Sequence, residues 1–200
     1  HSCGSLHLAQ SQQEDESLQK TVLGLGFDLD WVQYRDNLSV SPFCGQALKY
    51  GALYFPAGAK VYPQQLISQL LTHPLIELRK QSVQEIEKVG DIWRLHSVDG
   101  TSQQTEQLVL ANAKGAKALL PLALHQRSPR FLQADVLGGH SLTVEVPDRF
   151  ISSSHVLSAN GYSIPLSDNR YIWGSTYTAP DAKHDEHAKT VIKQKIGDMM

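Results

Sequence analysis

From His155 to Tyr177 the chain reads HVLSANGYSIPLSDNRYIWGSTY, strand-like runs broken at Ala159-Asn160-Gly161 and at Ser167-Asp168-Asn169. Turn residues at that spacing make consecutive strands joined by tight turns. Just upstream, HSLTVEV sets Leu142, Val144 and Val146 against Thr143 and Glu145, the period-two pattern of a strand with one buried face. Strands in this rhythm do not fit a strict βαβ repeat. The expectation is an α+β fold, a mixed and largely antiparallel sheet with flanking helices.

The first half interleaves helices with strands. SLHLA at 5–9 alternates as a half-buried strand does. Ser11, with Glu14 three residues on, reads as the N-cap of a helix that ends near Gly24-Leu25-Gly26. A dinucleotide fingerprint needs glycines between a strand and a helix, so VLGLGFDLDW is not one. GALYF at 51–55 is a strand, Pro56 and Gly58 make a turn, and Pro63 opens a helix that Pro74 ends. Leu66, Ile67, Leu70 and Leu71 share one face of that helix. LIELRKQSVQEIEKV runs as one or two strands, and DIWRLHSVDGTSQQTEQLVLANA reads as a strand, an Asp-Gly turn and a buried strand at 107–111. GAKALLPLA is a short helix. HDEHAKTVIKQKI is an amphipathic helix through Ala188, Val191, Ile192 and Ile196.

Composition narrows the partners. The 200 residues are 41% hydrophobic and 19% charged, which is globular, and the net charge of −2 gives no general field toward nucleic acid or an acidic membrane. Arg79-Lys80 and Arg127 to Arg130 read as solvated faces. No run approaches the roughly 18 apolar residues of a membrane helix. Cys3 and Cys44 form no disulfide framework, so a reducing, cytoplasmic setting is the simplest reading. The chain begins HSCGSLHLAQ and stops within a helical pattern at KQKIGDMM, as an internal fragment of a longer protein would. His184 and His187 stand three apart but lack a third metal ligand nearby, and the expectation is no metal site. Cys44 sits in a loop with no histidine tied to it, and Ser152 to Ser154 precede His155 without a nucleophile elbow. No residue stands out as a catalytic acid, base or nucleophile.

Three segments, in order, carry a resemblance: YGALYFPAGAKVYPQQLISQLL, SVQEIEKVGDIWRLHSVDGTSQQTEQLVLANA and VLSANGYSIPLSDNRYIWGSTY. Together they resemble the strand, loop and helix, the meander, and the substrate-domain hairpin of D-amino acid oxidase/glycine oxidase-type flavoproteins. CGSLHLA is similar to a Gly-x-Leu-x-Leu strand of the same family, in the variant that forms the C-terminal flavin domain of bifunctional tRNA wobble-uridine modification enzymes. The resemblance implies FAD as cofactor and oxidation of a C–N bond of a secondary amine. The substrate it implies is tRNA, losing a carboxymethyl group, or alternatively a small free amine as for an amino-acid or glycine oxidase. A non-enzymatic α+β binding module is the rival from another class.

Carried over by position, Val83, Ala111, Asn112, Ala113 and Gly58 are the expected cofactor contacts. Ala59, Lys60, Gly161 and Tyr162 are the expected substrate contacts. Ala113 and Ala59 stand where the family has glycine. The chain also lacks the G-x-G-x-x-G turn that holds the FAD pyrophosphate and the C-terminal glycine-rich segment that closes over the flavin. The expected layout is therefore a substrate sheet with part of an incomplete FAD-binding domain, interleaved as 1–80, 81–125 and 126–200. On its own this piece is not expected to hold FAD tightly or to be active.

Overall fold

The computed structural model describes residues 2–120, 135–147, 153–167, 169–179 and 186–199. Arg127 to Arg130, Ser152, Asp168 and His184 lie outside the described residues. The chain divides into two compact units, His1–Pro63 with Leu137–Met200, and Gln64–Val136.

The strands in chain order are β1 (Ser5–Leu8), β2 (Gln33–Arg35), β3 (Ala52–Phe55), β4 (Val83–Val89), β5 (Ile92–Ser97), β6 (Ser102–Thr105), β7 (Ser141–Glu145), β8 (Val156–Ser158), β9 (Tyr162–Pro165) and β10 (Arg170–Gly174). The first unit is a seven-stranded sheet in the order β2-β3-β1-β8-β9-β10-β7. β1 and β8 pair in parallel, and every other neighbour is antiparallel. The alternation read from HSLTVEV and from residues 155–177 therefore marks real strands and turns.

Residues opposite each other in a ladder share a face. On one face, Leu6 and Leu8 of β1, Ala52 of β3 and Leu157 of β8 join a core closed by two helices. Helix α2 (Asn37–Cys44) supplies Val40 and Cys44, and helix α5 (Glu186–Met199) supplies Ile192, Ile196 and Met199. Ile192 and Ile196, one turn apart, are 0% and 1% exposed, and burying each stabilises the fold by about 1.5–3 kcal/mol. Trp173 and Leu142 pack against the rim of the same core.

Helix α1 (Gln12–Leu25) buries none of its residues. Its start is fixed locally: the Ser11 hydroxyl accepts from Glu14 N–H at 3.2 Å, and the Glu14 carboxylate accepts from Gln10 N–H at 2.9 Å. Asp15 ties it to the sheet edge, accepting from the Tyr34 hydroxyl at 2.8 Å and from Gly51 N–H at 3.0 Å. Gly26, in the left-handed conformation, ends it.

Cys44, expected in a loop, instead closes α2 and is buried. Asp36 caps that helix through Ser39 N–H at 2.8 Å. Pro42 sits inside it and removes one donor, which a helix of two turns tolerates when its apolar face is buried.

The second unit holds the meander β4-β5-β6, with turns at Gly90 and Asp99-Gly100. Helix α3 (Pro63–Leu70) leads into it, and α4 (Ala116–Leu119) follows a 3₁₀ turn at Ala113–Gly115. Leu66, Ile67 and Leu70 of α3 are 50–59% exposed. The helix stops at Leu70, before Pro74, and passes into turns. The buried strand expected at 107–111 is not formed, and Val109 is 86% exposed. A buried strand needs ladder partners, and no described strand pairs with this segment. Among the described residues no helix is long and apolar enough to cross a membrane.

Candidate functional site: the open sheet face

The sheet face turned away from α2 and α5 carries a row of polar groups. Register aligns His7 of β1 with Ser158 of β8, Ser158 with Tyr162 of β9, and Tyr162 with Gly174 of β10. All but Gly174 are half-buried. The Ser158 hydroxyl donates its one proton to Leu6 C=O at 3.2 Å, leaving its oxygen to accept from His7 Nδ1 at 3.2 Å. The other His7 nitrogen, Nε2, lies 3.8 Å from the Glu14 carboxylate. A Cβ at Gly174 would overlap the Tyr162 ring, so glycine there lets the ring lie across β10. Val156, Ile164 and Ile172 are half-buried on the same face by register. Aliphatic side chains and one phenol ring flush with a sheet suit the side of a flat ring system, and the polar row can hold a substrate against it.

Gly58, Ala59 and Lys60 cluster at the other end of these strands. Gly58 C=O accepts from Cys3 N–H at 3.0 Å and Gly4 N–H at 2.8 Å, and Ala59 bridges Ser2. A Cβ at Gly58 would sit 2.5 Å from Ser5 Oγ and 2.6 Å from Ser5 N, so the turn lies on the start of β1. Lys60 Nζ donates to Pro165 C=O at 2.8 Å and Leu166 C=O at 2.9 Å. Tyr162 opens β9 and Lys60 grips its far end, a span of roughly 10 Å at strand rise. Gly161 is buried beneath α5, where a Cβ would meet Gly174 C=O at 2.7 Å and Lys195 Cβ at 3.5 Å. The structure thus puts Gly161 on the α5 side of the sheet and Tyr162 on the opposite face, with Gly58 and Lys60 together at the far end of the strands.

Val83, Ala111, Asn112 and Ala113 belong to the second unit. Val83 pairs with Ser97 just before a β-bulge. Ala113 has φ 47°, a left-handed conformation that glycine adopts freely and other residues rarely do. The Cβ there costs roughly 1–2 kcal/mol. The sequence holds no G-x-G-x-x-G motif, and among the described residues the flat, half-buried sheet face is what suits a ring system.

Sequence alone does not bring His7 and Ser158 together, and Gly174 stands in it only as the first residue of a Gly-x-Thr-Tyr run. His7 was legible as a polar position of an alternating strand, but its neighbour Ser158 lies 151 residues away.

Other titratable groups behave as structure. Burial pushes the Cys44 thiol up to about 11, which keeps it protonated. Burial, helped by the Asp15 carboxylate, pushes the Tyr34 phenol up to about 12. Burial lowers His155, whose ring packs edge-on to Phe43 at 4.9 Å and Tyr54 at 5.9 Å. Among the described residues no three metal-ligating side chains converge.

Comparison with known proteins agrees with this architecture. In Methylobacillus flagellatus, the "tRNA 5-methylaminomethyl-2-thiouridine biosynthesis bifunctional protein MnmC" is 27% identical over 194 residues, 94% of this chain and 29% of that protein. The protein of the same name from Hahella chejuensis is 28% identical over 181 residues, covering 88% of this chain and 28% of that one. The chain therefore spans under a third of the length of these relatives. Glycine oxidase from Geobacillus kaustophilus superposes with a TM-score of 0.73 at 19% identity, over 100% of this chain and 55% of that one. Glycine oxidase from Bacillus cereus gives 0.75 at 15% identity, over 100% and 56%. These two establish a shared fold. The family model described as FAD dependent oxidoreductase matches residues 1–200, and the chain belongs to that family.

Proposed function

We propose that this chain supplies the substrate-facing sheet of an FAD-dependent amine oxidoreductase, and that the amine it presents is the carboxymethylated amino group of a tRNA wobble uridine. The observation that carries the reading is the His7–Ser158–Tyr162 row beside the bare backbone of Gly174. It combines a flat floor with hydrogen-bonding groups that could orient a carboxylate and an amine. Support for tRNA comes from relatives named for tRNA thiouridine biosynthesis, which match 88–96% of this chain. The match to an oxidoreductase family along the whole chain favours an enzyme over a binding module that shares only the sheet pattern.

Bound FAD would supply the hydride acceptor for oxidation of the CH₂ next to nitrogen to an imine, which water would hydrolyse to the shortened amine and glyoxylate. The chain's own part is placement. The sheet holds the CH₂ at one height, Tyr162 and His7 offer polar contacts beside it, and the aliphatic side chains exclude water. Val83 and the 111–113 segment are proposed as cofactor-side backbone, with Gly58 at the turn. Ala59 and Lys60 are proposed as substrate-side contacts. The free cysteines Cys3 and Cys44 accord with a cytoplasmic setting.

The test is nucleoside analysis of tRNA that carries the carboxymethylated uridine, after incubation with the full-length parent protein. Loss of the carboxymethyl group with glyoxylate release is expected. Unchanged tRNA alongside rapid oxidation of glycine would overturn the tRNA reading in favour of a small free amine.

A further inference from the structure

Next to Tyr162 the first unit has a cleft of about 280 Å³ whose lining includes Leu137, Gly139, His140, Thr176 and Tyr177. Beyond β7 and β10 the ladder continues, with Gly138 and Thr178 exchanging backbone hydrogen bonds at 3.0 Å. The floor there is backbone, because Gly138 and Gly139 bring no side chains. On it, the Thr176 hydroxyl lies 3.2 Å from both His140 N and His140 Nδ1. The rim is apolar and open: Tyr177 is 78% exposed and Leu137 is 71% exposed.

Charge separates this cleft from two others in the same unit. One of those is lined by Asp198 with Lys49 and the other by Glu16 with Lys20. Among the described residues, the lining of the Tyr162 cleft has no carboxylate. Beside it, Lys195 Nζ is held at 2.9 Å from Ser175 C=O. Lys195 therefore offers positive charge next to the Ser175 edge of the cleft, where a phosphate backbone could lie.

We propose that this cleft is a platform for an unpaired nucleobase of an RNA substrate, with the Tyr177 ring stacking on the base and the His140–Thr176 pair facing its polar edge. It rests on the tRNA reading above and extends it. Tyr162 faces the reacting amine, and Tyr177 holds a base next to it. Stacking needs an exposed ring and an unpaired base, and it tolerates any base identity. Tyr177 is then a binding residue that distinguishes an RNA-borne amine from a free one.

The test is fluorescence anisotropy of a labelled anticodon stem-loop RNA with the full-length parent protein, beside a duplex RNA of equal length. Tyr177→Ala is expected to weaken stem-loop binding by about fivefold to 150-fold, leave duplex binding unchanged, and retain bound flavin as evidence of an intact fold. Tyr177→Phe is expected to bind as the parent does. Equal stem-loop affinity in Tyr177→Ala, or an equal loss toward duplex, overturns the platform. If the parent converts the wobble nucleoside yet Tyr177→Ala binds the stem-loop unchanged, the platform alone fails. A parent that neither converts that tRNA nor binds the stem-loop overturns both.

Discussion

At the scale of residues, the decisive positions are those where a missing side chain lets two parts touch. Gly58 lies on Ser5 with no room for a methyl group, and Gly174 lies under the Tyr162 ring. Gly58→Ala must move a turn whose carbonyl already holds Cys3 and Gly4 N–H. We expect it to destabilise the parent protein by about 1–3 kcal/mol, as overpacking does, seen as a lower midpoint in denaturant. An unchanged midpoint would show that the turn has slack. Gly58 could be picked out in the sequence as a turn residue, but the strand it touches begins 53 residues earlier and leaves no local trace. Ala113 shows the converse: nothing in its local sequence announces a left-handed residue, and only the structure shows φ 47° there.

Among the elements, legibility followed locality. β7 to β10 were readable because alternation and turn residues sit within a few positions of each other. So was the start of α1, where Ser11 and Glu14 act on neighbouring backbone. Ser11→Ala is expected to cost about 1 kcal/mol, measured as a drop in thermal midpoint, and Ser11→Asp is expected to restore it. No drop would mean that Asp15, through Tyr34 and Gly51, carries the helix start alone. β2 is three residues long and exists because it pairs with β3, so its own sequence could not announce it. Pro42 masks α2 in the sequence, and the 107–111 run shows that apolar composition without a ladder partner does not entail burial.

For the whole molecule, two readings met. Pattern points to a mixed, largely antiparallel sheet, to which the structure adds one parallel pair at β1–β8; resemblance points to a flavoprotein family, and the family match spans the full chain. The polar row that we assign to the substrate joins β1 to β8, strands about 150 residues apart, so it became visible only once the sheet was assembled. The measurement that tests the central claim most directly is the visible absorbance of the purified parent protein, with the released cofactor identified after denaturation. A yellow protein that releases FAD, and whose colour bleaches without oxygen when the modified tRNA is added, is the predicted result. A colourless protein that takes up no added FAD would contradict it.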